Sequence, residues 1–130
     1  MANTMQFDLV SPERKLASLE ATEVQIPGSE GDFTAMPDHA SILTTLRPGM
    51  LKVTSDKDVT EYLVTGGFVE VSGTATSVLA EQAIPKADVT RELVEGLVAV
   101  AETAAENLSG AELDMASKRV HDTKVLLDLV

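Results

Sequence analysis

The stretch Thr76-Ser-Val-Leu-Ala-Glu-Gln-Ala-Ile-Pro-Lys-Ala-Asp-Val-Thr-Arg-Glu-Leu-Val-Glu-Gly-Leu97 contains the point at which the chain changes its hydrophobic period. Up to Ala80 apolar residues recur at every second position, the period of a half-buried strand. After Pro85, Val89, Leu93, Leu97, Val100, Ala104 and Leu108 are separated by four, four, three, four and four residues, which places them on one face of a helix. A chain that switches period once is expected to carry a β domain over residues 1–84 and a helical region over residues 85–130.

Working back from the switch, the alternation continues in short bursts broken by glycine, proline and aspartate. Met5, Phe7 and Leu9 alternate before Ser11-Pro12, and Val24 and Ile26 alternate before Pro27-Gly28. Leu51 and Val53 lead into Ser55-Asp56-Lys57-Asp58, followed by Val59, Glu61 and Leu63, which predicts a hairpin with a four-residue turn. Gly66-Gly67 breaks the pattern, and Phe68 to Val71, a turn near Gly73, and Thr76 to Ala80 form a further pair. Each such sheet has one apolar face to hide, so a flattened barrel or two-sheet sandwich is the economical packing.

Working forward, Ser109-Gly110 is expected to stop the first helix, and Ser109-Gly110-Ala111-Glu112 has the Ser-x-x-Glu form of a capping box that starts the next. An antiparallel α-helical hairpin is implied. Leu113, Ala116, Val120 and Leu127 share one side of the second helix, and alanines at 101, 104, 105, 111 and 116 would let two backbones approach closely. Plain helix-on-helix packing accounts for both stripes. Asp88 is expected to cap the first helix at its N-terminus.

Composition removes whole classes of function. The 130 residues include 21 acidic and 10 basic side chains, a formal charge of −11, so the chain would repel a phosphate backbone and nucleic acid is not an expected partner. Cysteine is absent, which removes disulfides, thiolate metal sites and cysteine nucleophiles and suits a reducing compartment. Aromatic residues make up 3% of the chain, too few for a sugar- or base-stacking platform, and the core must be aliphatic. No apolar run approaches the ~20 residues that span a bilayer, and Met1 to Phe7 lack the features of a secretory signal, so residence in the cytoplasm is expected.

No catalytic constellation stands out. Asp38, His39 and Ser41 have the residue types of a hydrolase triad but are nearly consecutive, whereas triad members converge from separate elements. Asp56/Asp58 and Glu30/Asp32 fall in predicted turns, the setting of ordinary solvated acids. Gly28-Ser29-Glu30-Gly31 lacks the lysine of a phosphate loop and reads as a tight turn. Nothing fixes further ligands for a metal at Asp38 and His39.

Taken in order, the motifs resemble a family over nearly the full chain. Gly28-Ser29-Glu30-Gly31-Asp32-Phe33, Met36-Pro37-Asp38-His39-Ala40, Leu43-Thr44-Thr45-Leu46-Arg47-Pro48-Gly49 and Gly66-Gly67-Phe68-Val69-Glu70-Val71 follow one another as they do in the ε subunit of bacterial F-type ATP synthases. Val78-Leu79-Ala80-Glu81 is similar to that family's end of sheet. The resemblance implies an N-terminal antiparallel β-sandwich of about ten strands and a C-terminal helical hairpin. It implies a non-catalytic rotor subunit of a proton-translocating enzyme, peripheral on the cytoplasmic face of the bacterial inner membrane. Such a subunit binds γ with one side of the sandwich and the c ring with its lower edge, and couples ring rotation to ATP synthesis. Glu30, Gly31, Asp32 and His39 fall on positions that face the c ring.

Some members bind ATP through an Ile/Leu-Asp-x-x-Arg-Ala motif. Here Asp88 and Arg91 survive, but Ala87 precedes and Glu92 follows, so with Glu81 they form at most a weak nucleotide site, and no resident cofactor is expected. In the family the hairpin can also reach the β subunit of the catalytic head through basic residues of its second helix, here Lys118, Arg119 and Lys124. Glu112, Asp114, Asp122 and Asp128 oppose them in the same segment, so transient inhibition should be weak. The alternatives are a stand-alone nucleotide-sensing β-sandwich whose hairpin closes on ATP, and a small enzyme of the β-sandwich type.

Overall fold

The structure, a computed structural model, describes residues 4–38, 40–56 and 58–129. Ten strands come first: β1 (Met5–Val10), β2 (Lys15–Ala21), β3 (Glu23–Gly28), β4 (Gly31–Ala35), β5 (Ile42–Leu46), β6 (Gly49–Ser55), β7 (Asp58–Val64), β8 (Gly67–Val71), β9 (Ala75–Ala80) and β10 (Ala83–Pro85). A 3-10 turn over Lys86–Asp88 leads to α1 (Arg91–Ala105) and α2 (Gly110–Val125), and a second 3-10 turn covers Leu126–Leu129. The chain divides into two compact units, one up to Lys86 and one from Ala87.

The strands form one sheet in the order β10-β7-β6-β3-β5-β8-β9-β1-β2, with β4 paired to the outside of this path on β3. Between β3 and β5 the ladder narrows to a single register pair, Gly28 with Leu46. On either side of that point the strands run as two layers that fill one core. Met5, Phe7 and Leu9 of β1, Val69 and Val71 of β8, and Val78 and Ala80 of β9 meet Val24 and Ile26 of β3, Leu51 and Val53 of β6, and Tyr62 and Val64 of β7. The β-sandwich expected from the period of two is therefore present, with an aliphatic core around Phe7. Its pairing differs in one place, since β1 runs parallel to β9.

Alternation in the sequence marks β1, β3 and β6 to β9, and leaves β2, β4, β5 and β10 unmarked. β2 and β5 were not marked, because Leu16-Ala17 and Ile42-Leu43 set apolar residues side by side and blur the period. The Ser55 to Asp58 tip is tighter than its composition suggests: Ser55 already pairs with Asp58, and Asp56 takes a left-handed conformation at φ 43. Asp32 and Asp58 belong to strands, not to turns.

In the helical unit the apolar stripe of α1 lies one residue later than its spacing predicts. Val94, Val98 and Ala101 are buried, whereas Val100 is 68% exposed. The doublets Leu93-Val94 and Leu97-Val98 offer two stripes of equal spacing, and period alone cannot choose between them. On α2 Thr123 is buried and Ala116 and Val120 are half-buried, while Leu113 is exposed. Helix α1 ends at Ala105, before Ser109-Gly110, with Asn107 in the left-handed region at φ 65, a conformation asparagine tolerates. Ser109 does occupy the N-cap position of α2, but its hydroxyl caps no amide and the capping box is not formed.

Asp88 is not the cap of α1. It closes the 3-10 turn, and Thr90 takes the N-cap position, its hydroxyl oxygen accepting from the Leu93 amide at 3.1 Å. Thr90→Ala should therefore destabilise α1 by about 1 kcal/mol, read as faster amide exchange in its first turns, while Asp88→Ala should leave that exchange unchanged. The reverse ranking would contradict the capping geometry.

On the outer face of β1, hydrogen bonding from Ser18, and then from Gln6 and Lys15, holds the Asp8 carboxyl below its usual 3.8, against a smaller upward push from partial burial. A carboxylate depressed in the folded state stabilises the fold above its unfolded value and loses that contribution as pH falls through the folded one. The melting-temperature advantage of the wild type over Asp8→Asn should thus be present at neutral pH and shrink below pH 3.8. A pH-independent difference would contradict this.

Candidate functional site

The tip of the β3–β4 hairpin is built by a close approach that only glycine permits. Gly28 pairs with Gly31, leaving Ser29 and Glu30 as the connecting residues. A Cβ on Gly28 would stand 2.6 Å from the Gly31 carbonyl oxygen and 3.1 Å from the Phe33 ring, while Gly31 itself sits at φ 138. A wider turn would be forced by a side chain at either position.

The tip is also tied to its other neighbour, β5. The Ser29 amide donates to the Thr45 carbonyl at 2.9 Å, and the Thr45 hydroxyl donates to Ser29 Oγ at 2.7 Å. Just beyond β5, Arg47 donates from its amide to the Pro27 carbonyl at 3.0 Å and from Nη1 to the Gly28 carbonyl at 2.8 Å. Its Nη2 pairs with the Asp32 carboxylate. Asp32 therefore has a basic partner, one that sequence proximity did not show. Glu30 is exposed and, among the described residues, makes no side-chain hydrogen bond or ion pair. His39 lies outside the described residues.

From the tip a row of side chains runs across the outer face of the sheet. Thr45 stands opposite Phe68, Phe68 opposite Leu79, and Leu79 opposite Val10, on β5, β8, β9 and β1 in turn. Leu43, two residues before Thr45 on the same face, stands opposite Glu70. Leu43, Phe68 and Leu79 are 70%, 55% and 56% exposed, although the residues between them, Val69, Val78 and Ala80, are buried in the core. Apolar side chains in adjacent register on an open face mark a surface suited to a protein partner. In the sequence Phe68 and Leu79 read as ordinary strand residues, while Leu43 and Thr45 fall in a strand that alternation does not mark. The signal available there was the unbroken apolar pair at Phe68-Val69 and Val78-Leu79, which alternation with a polar outer face would not give.

The other sequence-derived residues are divided between the two units. Glu81 is exposed beyond β9 in the first unit, with its amide donating to the Gly66 carbonyl at 2.9 Å. Asp88 and Arg91 belong to the second unit, and Arg91 pairs with Glu95 one turn along α1 at 3.2 Å. On α2 Lys118 pairs with Asp122 at 3.0 Å and Lys124 reaches Glu102 of α1 at 3.7 Å, while the Arg119 carbonyl accepts from the Thr123 hydroxyl at 2.6 Å. Among the described residues no group of three or more histidine, aspartate or glutamate side chains is arranged to hold a metal. Among the described residues no helix is long and apolar enough to cross a membrane.

Residues 4–86 match the family described as ATP synthase, Delta/Epsilon chain, beta-sandwich domain. Relatives extend over nearly the whole chain. It is 56% identical over 131 aligned positions to the ATP synthase epsilon chain of Ruegeria sp. (strain TM1040), covering 97% of this chain and 96% of that one. It is 51% identical over 127 to the ATP synthase epsilon chain of Jannaschia sp. (strain CCS1), covering 98% and 96%. The fold is similar to that of a chain in the cryo-EM structure of Euglena gracilis mitochondrial ATP synthase, with a TM-score of 0.74 at 17% identity over 97% of this chain and 81% of that one. A chain from the central stalk and c ring of Tetrahymena thermophila mitochondrial ATP synthase matches with a TM-score of 0.67 at 20% identity, over 98% and 96%.

Proposed function

The chain belongs to the ATP synthase epsilon-chain family, and from that premise we propose that it is a non-catalytic rotor subunit, coupling rotation of the c ring to ATP synthesis through γ. The observation that supports this reading is the adjacency of two unlike surfaces. The apolar row Phe68, Leu79 and Val10 offers area to γ, and the Glu30 tip, joined to that row through Thr45, offers charge to the polar loops of the ring. Burying a leucine or phenylalanine side chain stabilises an interface by roughly 1.5–3 kcal/mol. Glu70 beside Leu43 and Asp8 beside Ser77 in register suit a partner with basic residues around an apolar strip.

The working location follows from the partners: the protein is peripheral, held at the cytoplasmic face of the bacterial inner membrane by the proton-translocating complex. It needs no resident cofactor. ATP binding through Glu81, Asp88 and Arg91 is weak at most, because Arg91 is engaged by Glu95 and Glu92 follows it in sequence. Contact of the second helix with the catalytic β subunit is transient and weakly inhibitory, since Lys118 and Lys124 are already paired with Asp122 and Glu102.

The test uses the exposed row. Phe68→Glu places a charge on a surface residue whose neighbours stay in the core, so the melting temperature should hold within a few degrees while recovery with γ and the ring from solubilised membranes falls about tenfold, a loss of about 1.4 kcal/mol. Wild-type recovery of both partners would show that this face is not the γ-binding surface.

A further inference from the structure

A two-residue turn presents a charge usefully only if its backbone is fixed, and the group that fixes this one lies outside the hairpin. In the sheet order β3 lies between β4 and β5. Arg47, one residue past β5, spans β3 to reach Asp32 on β4. On the way it makes three connections: its amide to the Pro27 carbonyl at 3.0 Å, Nη1 to the Gly28 carbonyl at 2.8 Å, and Nη2 to the Asp32 carboxylate. Its side chain is 27% exposed against 72% for Asp32, so the cation is the more sheltered member of the pair. A planar guanidinium can address a carbonyl and a carboxylate together, which a lysine ammonium, as a point charge, does less well.

We infer that Arg47 is a positioning residue: it clamps the β3–β4 hairpin and neutralises Asp32 in place, so that Glu30 is the one carboxylate of the tip left to recognise a basic or amide partner. This rests on the proposed ring contact of the tip and divides the labour within it. Asp32 serves the shape of the hairpin, Glu30 serves the contact, and Arg47 acts on the contact only through Glu30. An exposed ion pair contributes little to global stability, so the clamp should be visible locally and functionally rather than in the melting temperature.

The test has a local arm and a functional arm, both on the full-length chain. In the free protein, Arg47→Ala should raise amide exchange at Ser29 about tenfold with the melting temperature nearly unchanged, Asp32→Asn should raise it less, and Arg47→Lys should recover part of the protection. Unchanged exchange at Ser29 in both Arg47→Ala and Asp32→Asn would overturn the inference whatever the partner is. In the functional arm, each variant is titrated into ATP synthase membranes depleted of this subunit, with restored ATP-driven proton pumping as the readout. Arg47→Ala and Glu30→Gln should each weaken the apparent affinity about tenfold, and the double variant should be no weaker than either single one, because both remove the same contact. Multiplied losses of about a hundredfold, or a loss in Arg47→Ala with none in Glu30→Gln, would mean that Arg47 acts independently of Glu30 and would overturn the inference while leaving the tip at the ring. If neither substitution shifts the titration although exchange at Ser29 rises, the clamp exists and it is the ring contact that fails.

Discussion

The burial of β1 is the constraint on which the rest of the sandwich depends. Met5, Phe7 and Leu9 point into the core with no more than 2% of their surface exposed, and the strand that carries them is paired on both edges, with β9 in parallel and β2 antiparallel. Phe7 is the largest fully buried side chain, in an interior that is aliphatic apart from it and Tyr62. Loss of a buried ring of that size typically costs ~3–5 kcal/mol, a large part of what a small domain has. Because β1 covers the edge of β9, it also fixes the height of Leu79 beside Val10 on the opposite face. The core on the inside and the apolar row on the outside are two sides of one register.

That coupling explains why a surface so open is so regular. A one-residue slip in β8 or β9 would turn Phe68 and Leu79 inward and expose Val69 and Val78, exchanging small branched side chains for larger ones in a filled core. Gly67 guards against the slip, since a Cβ there would meet the Leu79 carbonyl oxygen at 2.0 Å. The outer row is therefore held by the inner one without contributing to it, which leaves it available for a partner.

Much of this was legible in the sequence, and the parts that were not share a cause. The period of two marked β1, β3 and β6 to β9, and the change of period at Pro85 marked the helices, because burial on one face imposes those spacings on any chain. The stripe of α1 was displaced by one residue, since Leu93-Val94 and Leu97-Val98 satisfy the helical period twice. Asp88 was mistaken for a cap because Thr90, two residues on, is an equally good one and only the backbone decides. Within the site, Gly28 and Gly31 could be read as a tight turn, whereas the Arg47–Asp32 pair spans an intervening strand and the row from Thr45 to Val10 draws on four strands. Contacts across a sheet depend on strand order, which local period does not encode.

In the proposed arrangement two adjacent surfaces of one sheet meet two different partners. The chain contains no cysteine, so a single introduced thiol reports one position without ambiguity. The direct measurement is cross-linking in the assembled, membrane-bound complex from Leu79→Cys and, separately, Glu30→Cys, with the attached chain identified by mass. γ is the expected product from Leu79→Cys, and the c subunit is the expected product from Glu30→Cys. Attachment of both thiols to the same chain, or of either to neither partner, would contradict that arrangement.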